Sequence, residues 1–307
     1  MRNDIVILGV FVADTAYRAE RQPRMGETIL GNSFALGPGG KGSNQSVAAA
    51  RAGGSVHFIS RLGADDFAAM AQKTWAEAGV TPVITEDPES FTGAAYIFIE
   101  ESSGDNAIII SPGAAARISA QDVEARADLI SGAAVFITQL EQPMAAAHRG
   151  LALARAGGAR TILNPAPAAP VPAEVLALCD HVTPNETEAE GIVGVTVATL
   201  DDAAAAAARF RERGVAAPII TLGERGAYYD DGETAALVPA MSAGPVVETT
   251  GAGDAFNGGF AVALAEGMAP LDAVRFGCAT AAISVTRPGT APSMPSRAEI
   301  DALLAKG

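Results

Sequence analysis

The chain has 307 residues, 49% of them hydrophobic, enough for one large domain or two small ones with a sizeable core. Lysine and arginine number 21 against 35 acidic residues, and the formal net charge of −14 argues against a nucleic-acid binder. The 2 cysteines, Cys179 and Cys278, and the 3 histidines, His57, His148 and His181, are scattered, which argues against a disulfide framework or a zinc centre.

The first predicted element is the apolar run Ile5–Ala13. Asp4 before it, Asp14 just after it and the lack of a basic leader predict a buried strand rather than a secretion signal. No apolar run approaches the roughly 20 residues that span a bilayer, so a soluble cytoplasmic protein with no membrane partner is expected. Further short apolar runs at Val56–Ser60, Ala134–Thr138, Thr161–Leu163 and Pro218–Leu222 read as strands. Between them Asn44–Ala52, Phe67–Ala78, Ala145–Ala156, Ala203–Arg213, Ala255–Glu266 and Leu271–Val285 suit helices. Strands alternating with helices predict a parallel sheet covered on both faces, which is why the strands lack polar alternation.

Two regions break this rhythm. Residues 15–36 and 91–111 alternate polar and apolar positions, as in AAYIFIEESSGDNAIII, where a turn at Ser102–Asp105 would join two strands. An antiparallel flap inserted in a parallel-sheet domain is a candidate lid, although a solvated edge hairpin has the same pattern. The Ala-rich DDAAAAAARF reads as a surface helix, and NPAPAAPVPAE is too short a Pro-rich stretch to be a domain linker.

Two stretches carry chemistry. GPGGKGSNQSVAAAR, Gly37–Arg51, keeps its backbone bare and then opens a helix near Asn44. It is not a dinucleotide fingerprint, because it does not directly follow the first strand, and it is not a Walker A loop, because Gly42 follows Lys41. Bare backbone admits a ligand, with Lys41 and Asn44 offering donors; a tight turn with an Asn cap fits the same residues. The second stretch is VETTGAGDAFNGGF, Val247–Phe260, in which Phe256, Phe260, Ala263 and Leu264 fall on one helical face. A helix that begins near Gly251 directs free amides at an anion and puts Asp254 in its first turn. A carboxylate beside a bound phosphate makes sense as the acceptor of a proton from an attacking hydroxyl, with the amides stabilising the phosphoryl group in flight. Simple complementation of the helix dipole by Asp254 is the alternative.

With these residues in view, the chain resembles the PfkB carbohydrate kinases, and within them the ribokinase branch. TTGAGDAFNGGF is similar to the C-terminal signature of that family and GPGGKGSNQSVAAAR to its N-terminal one. QLEQP, LNPAPA, TPNETEAE, ITLGERGAYY and SVTRPGTAPSMP lie between and beyond them in the family's order. The resemblance covers nearly the whole chain. It implies an α/β fold, a ribokinase-like three-layer α/β/α domain spanning residues 1–307, with a mostly parallel central sheet and a small β-sheet lid. It implies transfer of the γ-phosphate of ATP to a primary hydroxyl of a pentose or ketohexose, with Mg2+ and possible activation by K+.

By the same resemblance, Asp254 is the general base and Gly251, Ala252 and Gly253 form the anion hole. Asp14, Gly40, Lys41, Gly42, Asn44 and Glu141 fall on sugar-binding positions. Asn185, Thr221, Gly223, Gly226, Gly253 and Cys278 fall on ATP-binding positions, and Glu188 on one that holds Mg2+ through water. Glu248, Thr250, Ser284, Arg287, Gly289 and Ser293 fall on monovalent-cation positions. Read without the resemblance, Asn185 with Glu188 is rather a helix cap and its capping box, and Glu141 a solvated loop acid.

The chain departs from ribokinases at four places. Val12 and Ala115 stand where those enzymes carry asparagines near the sugar, which makes this pocket less polar and leaves a ketohexose, a deoxy sugar, another pentose or a nucleoside open. Cys278 stands where they often place a polar residue near adenine and is expected to pack against the base. Glu248 replaces an expected Asp and is one methylene longer. Besides a sugar kinase, the same fold could serve as a nucleoside kinase or a non-catalytic sugar or nucleotide sensor; a dehydrogenase lacks the correctly placed acid. Alternating strands at Ala94–Glu100 and Ala107–Ser111 predict a homodimer through the lid.

Overall fold

The computed structural model describes residues 3–306. The strands in chain order are β1 (Asp4–Leu8), β2 (Val12–Ala19), β3 (Ser33–Gly39), β4 (Ser55–Leu62), β5 (Thr81–Glu86), β6 (Thr92–Glu100), β7 (Asn106–Gly113), β8 (Val135–Thr138), β9 (Arg160–Leu163), β10 (His181–Val182), β11 (Ile219–Thr221), β12 (Ala227–Asp230) and β13 (Ala235–Val238). The helices are α1 (Lys41–Arg51), α2 (Asp66–Ala78), α3 (Ala120–Glu124), α4 (Ala127–Gly132), α5 (Met144–Gly157), α6 (Ala173–Leu176), α7 (Glu186–Val193), α8 (Leu200–Glu212), α9 (Ala252–Ala265), α10 (Pro270–Ser284) and α11 (Arg297–Leu304).

Six strands form a parallel sheet in the order β10-β9-β8-β1-β4-β5. Its central strands are apolar without alternation because both faces are covered. Along β1, Ile5 and Ile7 pack into a core with Val47, Trp75, Phe256, Phe260 and Phe276, from α1, α2, α9 and α10. Val6 and Leu8 point the other way, into a core with Leu151, Ala203 and Phe210, from α5 and α8. The result is a three-layer α/β/α sandwich.

A second sheet, β3-β2-β6-β7, stands apart from these layers. β2 pairs antiparallel with β3 and parallel with β6, and β6 and β7 form the hairpin turning at Ser102–Asp105. A third sheet of three antiparallel strands, β11-β12-β13, lies beyond β10. The run Pro218–Leu222 therefore does not join the parallel sheet as expected. It touches it through one parallel bridge, Thr221 with Asn185, while its ladder is taken by β12, which returns after a tight turn at Gly223–Arg225.

Ile5–Ala13 is not one strand. β1 ends at Leu8, and Val12 already belongs to the other sheet. The break is at Gly9, where a Cβ would sit 2.7 Å from Gly42 Cα and 2.4 Å from Gln139 Oε1. The chain crosses there from the central sheet into the small one. Among the described residues, no helix is long and apolar enough to cross a membrane.

Candidate active site

Two helices that meet at the mouth of the central sheet begin in the same unusual way. α1 starts from Gly40 at φ 89° and α9 from Gly251 at φ 82°, and neither has a side-chain cap. By contrast Asp65, Ser119, Asn185 and Thr199 cap α2, α3, α7 and α8 with their side chains. Only glycine holds these φ values without strain, and without a capping side chain the first amides stay available to other partners. At α1 two are already taken: the Lys41 amide donates to Glu141 Oε2 at 2.8 Å and the Ser43 amide to Val10 O at 3.2 Å, while at α9 the Ala252 amide donates to Thr249 O at 3.1 Å. At α9 Gly253 is exposed, and a Cβ placed on it would meet nothing within 4 Å.

Asp254 lies in the first turn of α9 and is buried, at 6% exposure. Asn44 Nδ2 donates to its Oδ2 and Gln45 Nε2 to its Oδ1, both at 3.0 Å. Burial pushes the Asp254 carboxyl up from the ordinary range, while the Lys41 charge and these two donors pull it back. Two more carboxylates, Glu141 and Glu188, feel the same lysine, and Asp14 lies near Glu141. Glu141 is pushed up to about 7 by burial and by Asp254 and Asp14, against the pull of Lys41 and its amide. Asp14 is pushed up to about 6 by burial. Glu188 is raised by burial too, against its bond from the Asn185 amide and the Lys41 charge. Acids held above their ordinary values beside a cation make this a candidate functional site.

Asp14 is not at the tip of a central strand, as its position after the first apolar run suggested. It sits within β2, paired with Gly37 and Ala95. Its carboxylate rests on the bare backbone of Gly39, where a Cβ would come within 2.2 Å of Oδ2. No other described residue donates a hydrogen bond to it. The glycines of GPGGKG thus have packing reasons of their own: Gly42 against Gly9, and Gly40 with its Cβ position 2.5 Å from Val10 O. Val12 and Ala115 are both buried and apolar, in one cluster with Leu8, Ile59 and Ala95.

The other assigned residues fall into two further groups. Asn185 caps α7, its Oδ1 accepting from the Glu188 amide at 2.8 Å while Glu188 Oε2 accepts from the Asn185 amide at 2.9 Å. The capping box read from sequence is therefore present, and Asn185 also bridges to Thr221. Thr221, Gly223 and Gly226 follow along the end of β11 and its turn, where the Leu222 amide donates to Gly226 O at 2.8 Å. Cys278 is buried in α10, within the core that holds Phe256.

In the second group, Glu248 Oε2 accepts from the Gly289 amide at 2.8 Å. The hydroxyls of Ser284 and Ser293 turn back onto Ala281 O and Thr290 O, and Arg287 pairs with Glu299. Thr250 is exposed next to Gly251. Among the described residues there is no cluster of three or more His, Cys, Asp or Glu able to hold a metal.

Sequence reading passed over Gln45. It is fully buried and bonds the Asp254 carboxylate directly. A signal was present: Ser43, Asn44, Gln45 and Ser46 are four polar residues in a row on a helix that buries every side from Gly42 to Ala49.

Comparison with known proteins identifies the family of the whole chain. The model of the pfkB family carbohydrate kinases matches residues 2–297. The ribokinase of Haemophilus influenzae is 37% identical over 300 residues, covering 97% of each chain. The deoxyribokinase of Salmonella typhi is 33% identical over 295 residues, covering 95% of this chain and 96% of its own. The structure of Arabidopsis thaliana ribokinase complexed with ribose and ATP aligns at a TM-score of 0.93 and 30% identity, covering 99% of both chains. This chain belongs to the pfkB family of carbohydrate kinases.

Proposed function

We propose that this protein is an ATP-dependent sugar kinase of the ribokinase type, which moves the γ-phosphoryl group of ATP to a primary hydroxyl of a pentose or ketohexose. The observation that carries this reading is the buried Asp254 carboxylate in the first turn of a helix whose N-terminal amides are uncapped and open at Gly253. The hydroxyl oxygen attacks the γ-phosphorus, the bond to the bridging oxygen of ADP breaks, and the proton passes to Asp254. Gly251, Ala252 and Gly253 form the anion hole that stabilises the charge on the transferring group. Binding and aligning the two substrates supplies the rest.

The sugar lies against Asp14, Gly40, Lys41, Gly42, Asn44 and Glu141. Two carboxylates suit sugar hydroxyls, since each can accept more than one hydrogen bond. ATP lies along Asn185, Thr221, Gly223, Gly226, Gly253 and Cys278. Glu188, with one oxygen outside its capping box, would be the residue to hold Mg2+ through water, and the ion would supply neutralisation of phosphate charge. A monovalent cation such as K+ would be held by Glu248, Thr250, Ser284, Arg287, Gly289 and Ser293, several of them through backbone carbonyls, with Glu248 already tied to the Gly289 amide.

The chain is one kinase domain over residues 1–307, and the inserted segments 15–36 and 91–111 form its lid. The pleat of the small sheet puts Tyr17, Phe34, Leu36 and Ile109 on one face, all of them exposed. An apolar face of this kind fits a second copy of the same sheet, giving a homodimer. Apolar Val12 and Ala115 match a sugar with fewer hydroxyls, and a deoxyribokinase stands among the relatives. ADP release measured across pentoses, deoxypentoses, ketohexoses and nucleosides, in potassium and in sodium, tests the proposal. Turnover with a nucleoside alone would favour a nucleoside kinase, and no ADP with any acceptor would favour a sensor.

A further inference from the structure

Behind the Asp254 carboxylate lies a buried chain of neutral amides that the reaction as described does not use. Gln45 is at its centre. Its two N–H groups are both committed, one to Asp254 Oδ1 and one to Asn164 Oδ1, each at 3.0 Å. Its Oε1 accepts from Gln139 Nε2 at 2.6 Å. The polarity of this chain is fixed from both ends. Thr183 O can only accept, so Asn164 Nδ2 donates to it, at 3.3 Å, and Asn164 Oδ1 is left facing Gln45. A carboxylate can only accept, so Gln45 must present its nitrogen to Asp254 as well.

The same chain returns to α9. Thr183 Oγ1 donates to Asn257 Oδ1 at 2.8 Å, and Asn257 Nδ2 donates to Gly253 O at 2.8 Å. One connected set of bonds therefore ties the acid's Oδ1 and the peptide of the anion-binding turn to the ends of β9 and β10. Gln139, Gln45 and Asn257 are at most 1% exposed, and Thr183 and Asn164 are buried too. None of the five side chains carries a charge that could take up the transferred proton. The charged groups around Asp254 come from other elements: Lys41 of α1, Glu188 of α7 and Glu141 after β8, with Asp14 of β2 beyond Glu141.

We infer that Gln45 is a positioning residue for the reaction: through Asn164 and Gln139 it locks the Asp254 carboxylate in one orientation relative to the Gly253 turn. Asn44 holds the other oxygen but also faces the sugar, so Gln45 alone serves the carboxylate from inside the protein. The inference rests on Asp254 being the general base. A base misplaced by about 1 Å loses on the order of 100-fold in rate, and Gln45 is the contact that prevents this from the buried side.

A double-mutant cycle on kcat tests this, with Gln45→Met and Asp254→Asn alone and together, and each variant checked for a cooperative melt. Methionine keeps the volume and removes both donors. We expect Gln45→Met to lower kcat about 10- to 100-fold with KM for ATP within about twofold. In the Asp254→Asn background the same change should leave the residual turnover within about twofold, because a residue that acts through the carboxylate has nothing left to act on. Equal losses in both backgrounds, or no loss in either, would overturn the inference. If Gln45→Met does not fold, Gln45→Glu, which keeps the shape, is read by the same cycle; failure of both to fold would assign Gln45 to the core and likewise overturn it. Failure of the base reading shows separately, as normal turnover by Asp254→Asn alone.

Discussion

Replacing Glu141 by Gln should stabilise the ligand-free protein, and only at neutral and higher pH. Glu141 titrates at about 7 in the fold against an ordinary 4.5, because burial and the charges of Asp254 and Asp14 outweigh the help from Lys41. The folded state thus holds its proton more tightly than the unfolded chain does. Below pH 4.5 the group is protonated in both states and costs nothing. As pH rises from 4.5 to 7 the unfolded chain ionises first, and the folded protein loses stability until the group is ionised in both. Each pH unit of displacement is worth about 1.4 kcal/mol, so the full cost is about 3 kcal/mol. The neutral amide of the Glu141→Gln variant would carry none of it, while its oxygen could still accept the Lys41 amide. Relieving Asp254 and Asp14 of a neighbouring charge acts in the same direction. Urea or thermal unfolding of both proteins without ligand, from pH 4.5 to 8.5, should show curves that coincide at the acid end and separate by about 3 kcal/mol above pH 7, or about 5 °C in Tm. If Glu141 binds the sugar as proposed, the variant should also bind sugar more weakly. A gap that does not change with pH, or a less stable variant at pH 8, would refute the reasoning.

Further outcomes follow from individual residues. Val12→Asn should raise kcat/KM for ribose relative to 2-deoxyribose by up to about tenfold, the worth of one added hydrogen bond, measured by ADP release with each sugar. Glu248→Asp should increase the ratio of turnover in potassium to turnover in sodium, because the shorter carboxylate reaches the Gly289 amide less readily and frees its oxygens; an unchanged ratio would place the cation elsewhere. Light scattering should give twice the 31.0 kDa chain mass, and Ile109→Lys on the exposed face of β7 should halve it.

Much of this was legible in the residues, for reasons that can be named. Both faces of β1 and β8 are covered, so Ile5–Leu8 and Val135–Ile137 are apolar throughout and announce a parallel sheet. The six long helices lie where their spacing put them; α2 buries one face with Ala68, Ala71 and Trp75, whereas α1 and α9 are buried on every side through most of their length. β5 escaped because Thr81–Glu86 is an edge strand, largely exposed and carrying Pro82. Asp14 was read at the end of a first strand because Gly9 separates two sheets within one unbroken apolar run; hydropathy does not mark such a crossing, whereas the contact of Gly9 with Gly42 does. At the site, Asp254 was visible because its small neighbours leave a helix start bare. Gln45 was not, because its role depends on Asn164, Gln139 and Thr183, brought together from distant positions.

The most direct measurement on the central claim is single-turnover phosphoryl transfer by Asp254→Asn beside the unaltered protein, with the accepted sugar and ATP saturating. The account predicts an intact fold, ATP affinity close to that of the parent, and a transfer rate lower by roughly 10²–10⁴. A transfer rate within a few fold of the parent would contradict it.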